Sequence, residues 1–264
     1  MANFSAKDVQ ALRQATGAGM MDAKKALTEN DGDAEAAAKW LREQGLVKAA
    51  SRSDRENTQG AVALATAENV VAMVELKSET DFSAKAEDFL GVVTDLAASV
   101  LARGEEAVGE HAEAVDQMKL SKKENIEVGK VVRWEVGEGN ILDTYLHIQD
   151  GRGVNAVLVE LSGGTTELAH DLAVHIAFTK PRYLRREDVP ADQVEAERAT
   201  LADITRAEGK PEAALDKIVE GRLTGWFKER VLLEQNFVRD EKQTISQLLG
   251  DAEIVRFDQI VIGG

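Results

Sequence analysis

Apolar residues recur every three or four positions in three short runs at the start of the chain, the spacing of helices with one buried face. Ser5, with Asp8 three residues on, forms a variant capping box ahead of Val9, Leu12 and Arg13. Thr16-Gly17-Ala18-Gly19 permits a tight reversal, and Met20, Met21, Ala23, Ala26 and Leu27 carry a second helix. Asn30-Asp31-Gly32-Asp33 makes a turn. Asp33 is placed to cap a third helix through Ala37, Trp40 and Leu41, with Gly45 as its expected stop. Fewer than about fifty residues build a small core. From Lys48 to Thr58 large apolar side chains are scarce, a linker composition that can be helical at its start.

After Gly60 the period changes from 3.6 to 2. Ala61 to Thr66 and Val70 to Leu76 read as paired strands turning at Ala67-Glu68-Asn69. A helix with Phe89, Val93, Leu96, Ala97 and Val100 on one face follows, then an acidic helical stretch from Glu105 to Met118. Strands return at Val128 to Val136 and Ile141 to Ile148, and Gly137-Glu138-Gly139-Asn140 between them reads as a hairpin turn. Val154 to Leu161 is the next strand, and a helix carrying Leu168, Leu172, His175 and Ile176 ends before Pro181. Ala191 to Ala207 and Ala213 to about Lys228 are helical, broken by Gly209-Lys210-Pro211. Their apolar stripes (Val194, Leu201, Ile204; Leu215, Ile218, Val219, Leu223) are narrow, which suits a protruding antiparallel pair better than helices laid on a core. Phe237, a helix through Ile245 and Leu248, and a strand from Ile254 to Ile262 complete the chain.

The middle of the chain repeats itself. Ala72-Met73-Val74-Glu75-Leu76 resembles Val157-Leu158-Val159-Glu160-Leu161, and each strand is followed by one amphipathic helix. Phe89, Val93, Leu96 and Ala97 correspond to Leu168, Leu172, His175 and Ile176. Thirteen residues separate Leu76 from Phe89, but seven separate Leu161 from Leu168, so the first copy carries six extra at its corner. They fall in or beside Thr80-Asp81-Phe82-Ser83-Ala84-Lys85. The sister copy packs without them. Phe82 is therefore either a contact displayed on that corner or a ring folded back onto the core.

Composition narrows the chemistry. The 264 residues include 44% hydrophobic and 30% charged positions, enough for a globular core with room for two domains. A formal net charge of −15 disfavours direct nucleic-acid binding, which needs a basic surface to displace counterions. No cysteine is present, so thiolate chemistry and disulfides are out. Neither an apolar leader core nor a membrane-length apolar run occurs, and the expectation is a cytoplasmic protein without membrane contact. The four histidines (His111, His147, His170, His175) are scattered, and His170 and His175 share no helix face with a carboxylate ligand pattern. Gly137-Gly139 and Gly163-Gly164 lack the Gly-Lys-Ser/Thr ending of a phosphate loop. No carboxylate pair stands out as acid and base. An active site, a metal and a cofactor are all unexpected.

Two long motifs, Leu12-Arg13-Gln14-Ala15-Thr16-Gly17-Ala18-Gly19-Met20-Met21-Asp22-Ala23-Lys24-Lys25-Ala26-Leu27 and Glu79-Thr80-Asp81-Phe82-Ser83-Ala84-Lys85, resemble the signatures of the elongation factor Ts family. The likeness continues, in order, at His175-Ile176-Ala177, Lys180-Pro181, Gly209-Lys210-Pro211, Glu220-Gly221-Arg222 and Leu233-Glu234-Gln235-Asn236-Phe237-Val238.

The resemblance implies an α+β fold: an N-terminal three-helix ubiquitin-associated-like domain, a duplicated antiparallel sheet-plus-helix core and a protruding antiparallel helical hairpin. The corresponding division is 1–53 for the three-helix domain and linker, 54–140 for the first core subdomain, 141–182 and 232–264 for the second, and 183–231 for the hairpin. It implies a guanine-nucleotide exchange factor without its own active site, whose partner is elongation factor Tu, GDP-bound and nucleotide-free. Arg13, Gly17, Gly19, Met20 and Met21 would dock on the partner's G domain, unless the two methionines are core filler. Asp81 and Phe82 would intrude beside its magnesium and nucleotide, with Thr80 next to them as a partner-binding residue. His147, in a Tyr-x-His context, matches a contacting histidine or is simply an exposed strand residue. Lys119 to Lys130 do not match the family pattern closely, and no contact is carried over there. An alternative is a ubiquitin-associated-type adaptor or ribosome-associated chaperone subunit. The duplicated core and the Asp81-Phe82 extension speak against it.

Overall fold

The computed structural model describes residues 4–264; residues 1–3 and the side chains of Leu46, Lys48 and Ala50 lie outside the described residues. The chain forms two compact units. One contains the chain up to Trp134 together with Ile148–Val154 and Ile262–Gly264, and the other contains Glu135–His147 and Asn155–Val261.

The first unit begins with helices α1 (Ala6–Thr16), α2 (Met20–Glu29) and α3 (Ala34–Ala50). Ser5 caps α1 through a complete capping box, in which Asp8 Oδ2 accepts the Ser5 backbone N–H at 2.7 Å. The Asp33 carboxylate caps α3 by accepting the N–H groups of Glu35 and Ala36, both at 2.9 Å. Val9, Leu12, Ala23, Ala26, Leu27 and Ala37 meet in a small buried core. Gly45 does not end α3, which runs five residues further. A Cβ at Gly45 would stand 2.5 Å from Cδ2 of Leu120, so this glycine serves close helix–helix approach rather than helix termination.

A three-stranded sheet follows, in the order β1 (Gln59–Ala67), β2 (Val70–Ser78), β3 (Glu127–Glu135). β1 and β2 pair antiparallel from Ala67↔Val70 to Gln59↔Ser78, as the alternation predicts. Between β2 and β3 come the one-turn helix α4 (Asp81–Ala84), α5 (Glu87–Arg103), a 3-10 turn (Glu105–His111) and α6 (Ala112–Lys122). Phe89, Val93, Leu96, Ala97 and Val100 of α5 are buried with Ala61, Ala72, Val74 and Leu76 of the sheet.

In the second unit lies the sister arrangement. Strands β4 (Ile141–Gln149), β5 (Arg152–Ser162) and β8 (Glu253–Val261) form a sheet in that order, with β5 and β8 antiparallel. Helix α7 (Thr166–Thr179) buries Leu172, His175 and Ile176 in a core with Val157, Val159 and Leu161. The short strands β6 (Asn236–Phe237) and β7 (Asp240–Thr244) and helix α10 (Ile245–Leu249) add Phe237 and Ile245 to that core.

The expected hairpin between Val136 and Ile141 is corrected. β3 pairs with β2 and β4 with β5, in different sheets. Gly137 to Asn140 still turns, but it is gathered by the buried Glu160 of β5, whose carboxylate accepts Gly137 N–H at 2.9 Å and the Asn140 amide at 2.7 Å. A glycine-rich tetrapeptide between two strands specifies a reversal, not which strand becomes the neighbour.

Helices α8 (Ala191–Ala207) and α9 (Glu212–Arg230) pair with each other. Leu215, Val219, Leu223 and Phe227 are buried along α9, while on α8 Thr205 takes the buried place and Ile204 faces out. Arg222 and Glu208 bridge the two helices at 2.7 Å.

Candidate functional site

The six-residue extension is an ordered corner. Thr80 caps α4 by accepting the Ser83 N–H at 3.2 Å, and the Ser78 hydroxyl donates to the Thr80 carbonyl at 3.0 Å. Successive residues of a helix point about 100° apart. Ser83 and Ala84 are buried, and Phe82 points away from them with 84% of its surface exposed. No other large hydrophobic side chain among the described residues is more exposed. The fold-back alternative for Phe82 is therefore not what the chain adopts.

Asp81 is held at the edge of the same turn. Lys85 Nζ donates to its carboxylate at 2.8 Å and reaches Asp150 at 3.2 Å. That hydrogen bond from Lys85 holds the Asp81 carboxyl below the usual carboxylate range, with Arg152 adding a weaker pull through space. Lys85 is correspondingly raised, by Asp81 first and Asp150 next. The corner therefore presents an exposed aromatic ring beside a fully ionised carboxylate that is tethered but not buried. Lys85 was legible as an i,i+4 partner of Asp81. Asp150 was not, since sixty-five residues of chain separate the two and only tertiary structure joins them.

A second group of expected residues comes together at the α1–α2 turn. Gly17 ends α1 with a φ of 68°, a conformation favouring glycine, and its N–H closes on the Arg13 carbonyl at 2.9 Å. Gly19 caps α2 without a side chain. Met20 and Met21 are 49% and 74% exposed, so neither is core filler, and Arg13 is exposed as well. Two adjacent exposed methionines form a soft, adaptable apolar surface. His147 stands by itself on the second unit, exposed near the end of β4.

Among the described residues no group of three or more His, Asp or Glu side chains is arranged to hold a metal ion, and no helix is long and apolar enough to cross a membrane. His175 is buried, hydrogen-bonded to Gln235 and pushed down by burial, a core histidine rather than a base.

A family model described as elongation factor TS matches residues 79–264, a span that contains the whole of the α4 corner and the β4-β5-β8 sheet, and β3 of the first sheet. The chain belongs to the elongation factor Ts family. Curated relatives of that name agree with it along nearly their full length. Elongation factor Ts of Renibacterium salmoninarum is 45% identical over 278 aligned residues, covering 100% of both chains. The protein of Acidothermus cellulolyticus is 44% identical, over 100% of this chain and 99% of its own. That of Clavibacter michiganensis is 45% identical over 94% of each. Elongation factor Ts proteins are nucleotide-exchange factors for elongation factor Tu and not catalytic enzymes. Binding to elongation factor Tu follows from membership.

Proposed function

We propose that this chain, in the cytoplasm, binds elongation factor Tu in its GDP-bound and nucleotide-free states and releases GDP by disturbing the magnesium and nucleotide site with the α4 corner. The observation that carries this reading is Phe82, held out on a capped turn at 84% exposure where the sister repeat has no such turn. Phe82 wedges between partner helices, and Asp81 perturbs the hydrogen bonds and charge around the magnesium. Thr80 holds the turn in shape. The three-helix domain and its linker, 1–53, supply a separate docking surface through Arg13, Gly17, Gly19, Met20 and Met21, and His147 supplies a further contact. The core subdomains at 54–140 and at 141–182 with 232–264 display the α4 corner and His147, and the hairpin at 183–231 is an appendage.

Loss of magnesium and phosphate contacts weakens nucleotide binding, and linkage makes the effect reciprocal: bound nucleotide weakens the factor's grip by the same factor. The chain therefore accelerates exchange without choosing which nucleotide binds next. Stopped-flow release of labelled GDP from elongation factor Tu, with and without the chain, tests this directly. Acceleration that saturates with factor concentration is expected. An unchanged release rate, or tight GDP binding to the isolated chain in calorimetry, would overturn it.

A further inference from the structure

A helix of four residues cannot hold itself together, because nucleation costs more than one turn of hydrogen bonds returns. Ser83 and Ala84 bury little apolar surface. Something else must fix the corner that displays Asp81 and Phe82, and one carboxylate meets that need.

Glu124, in the segment between α6 and β3, receives four hydrogen bonds from the corner. Its Oε2 accepts the backbone N–H groups of Glu79 and Thr80, each at 3.1 Å. Its Oε1 accepts the hydroxyls of Thr80 at 2.7 Å and Ser83 at 2.6 Å. A carboxylate has about four acceptor sites, and here each oxygen serves two donors. The Thr80 hydroxyl is thereby oriented: its proton goes to Glu124, which leaves a lone pair for the Ser83 N–H that begins α4. Glu124 thus acts on the helix cap as well as on the chain entering it.

The clasp is reciprocal. Glu79 Oε1 accepts the backbone N–H of Asn125 at 2.6 Å, so neighbouring residues of the two segments bind each other's backbone. The Asn125 amide then ties the segment to the carbonyls of Ser53 at 3.1 Å and Arg55 at 2.8 Å. Lys123, just before Glu124, adopts a φ of 58°, a left-handed conformation that costs a non-glycine residue free energy. The backbone bends unfavourably where it delivers Glu124 to the corner.

We infer that Glu124 is a positioning residue for nucleotide exchange: it touches neither nucleotide nor partner and acts by holding the Thr80–Lys85 turn in the conformation that displays Phe82 and Asp81. This rests on the exchange role given above to the corner. Without the carboxylate, two backbone N–H groups and two hydroxyls lose their common acceptor, and the turn samples conformations in which the ring is not aimed outward. Only the competent fraction binds productively, so apparent affinity falls with that fraction.

The experiment measures GDP release from elongation factor Tu over a range of factor concentrations for Glu124→Ala, the near-isosteric Glu124→Gln, Phe82→Ala and the Glu124→Gln/Phe82→Ala pair. All are assayed below the onset of their thermal unfolding. Glu124→Gln keeps the shape but removes the charge and replaces one acceptor oxygen by an NH2 group, so either the two backbone N–H groups or the two hydroxyl protons lose their acceptor, and the variant remains informative if Glu124→Ala fails to fold. The concentration needed for half-maximal release should rise, by up to about tenfold for Glu124→Gln, the largest population shift that losing one charge-assisted hydrogen bond of about 1.4 kcal/mol gives. Amide hydrogen exchange at Glu79, Thr80 and Ser83 should quicken in the same variant. In the pair, Glu124→Gln should add almost nothing to the loss caused by Phe82→Ala, because its effect passes through the ring. If Phe82→Ala impairs release and Glu124→Gln does not, or if the two losses multiply, the positioning role is wrong. If Phe82→Ala itself releases GDP normally, the exchange role of the corner is wrong and the inference falls with it.

Discussion

Cutting Phe82 to alanine removes a ring that is 84% exposed in the free chain, so the folded state draws on only about a sixth of its surface. Burying a whole Phe side chain is worth about 1.5–3 kcal/mol, and the covered fraction scales this to about 0.5 kcal/mol or less. That is the size of an ordinary surface substitution. As an anchor buried in the partner, the same ring contributes about 2 kcal/mol or more, roughly thirtyfold in affinity. Phe89, eight residues after Asp81 and fully buried, supplies the contrast. Phe89→Ala opens a cavity in the first core and should cost about 3–5 kcal/mol of stability. The assay pairs urea unfolding with GDP release from elongation factor Tu on both variants. Phe82→Ala should keep its unfolding midpoint and lose exchange. Phe89→Ala should unfold far earlier, with its folded fraction still exchanging. Should Phe82→Ala shift the midpoint as Phe89→Ala does while its folded molecules release GDP at the normal rate, the displayed-anchor reasoning fails.

Three further outcomes are expected. His175 donates through Nε2 to Gln235 and accepts the Val238 N–H on Nδ1, so it is neutral when folded, and burial lowers its pKa from the usual 6.5. The unfolded chain then binds the extra proton, so this stabilisation is complete above pH 6.5 and is lost as pH falls below it; a His175→Asn variant should be less stable at pH 8 but lose that pH dependence in thermal melts. Gly60→Ala would place a Cβ 2.3 Å from the Leu76 carbonyl oxygen, a backbone atom that cannot move aside, and should lower the melting temperature by several degrees, as a cost of about 1–3 kcal/mol does. Replacing 204–215 with a short Gly-Ser turn should leave the melting of both cores nearly unchanged, since α8 and α9 bury their apolar residues against each other; a large drop would mean that the distal pair supports the rest of the fold.

What the sequence settled by itself is whatever depends on neighbours within a few residues. The Ser5–Asp8 and Asp33 caps, the left-handed Gly17, the strand pair closing at Ala67↔Val70 and the bounds of α8 all follow from local spacing and backbone chemistry. So does the extra length at Thr80 to Lys85, because a repeat compared with itself exposes an insertion without any structure. Tertiary structure decided the rest. Whether Phe82 and the two methionines face out depends on what the remainder of the chain leaves uncovered, which periodicity over one turn cannot specify. Gly45 looked like a helix end and is a close contact, because its reason is Leu120, seventy-five residues away. Gly137 to Asn140 looked like a hairpin, but strand partners are chosen by the whole set of competing edges. Glu124 gave no local signal at all: a lone glutamate after two lysines reads as surface, and only the fold brings it to the four donors whose geometry it holds.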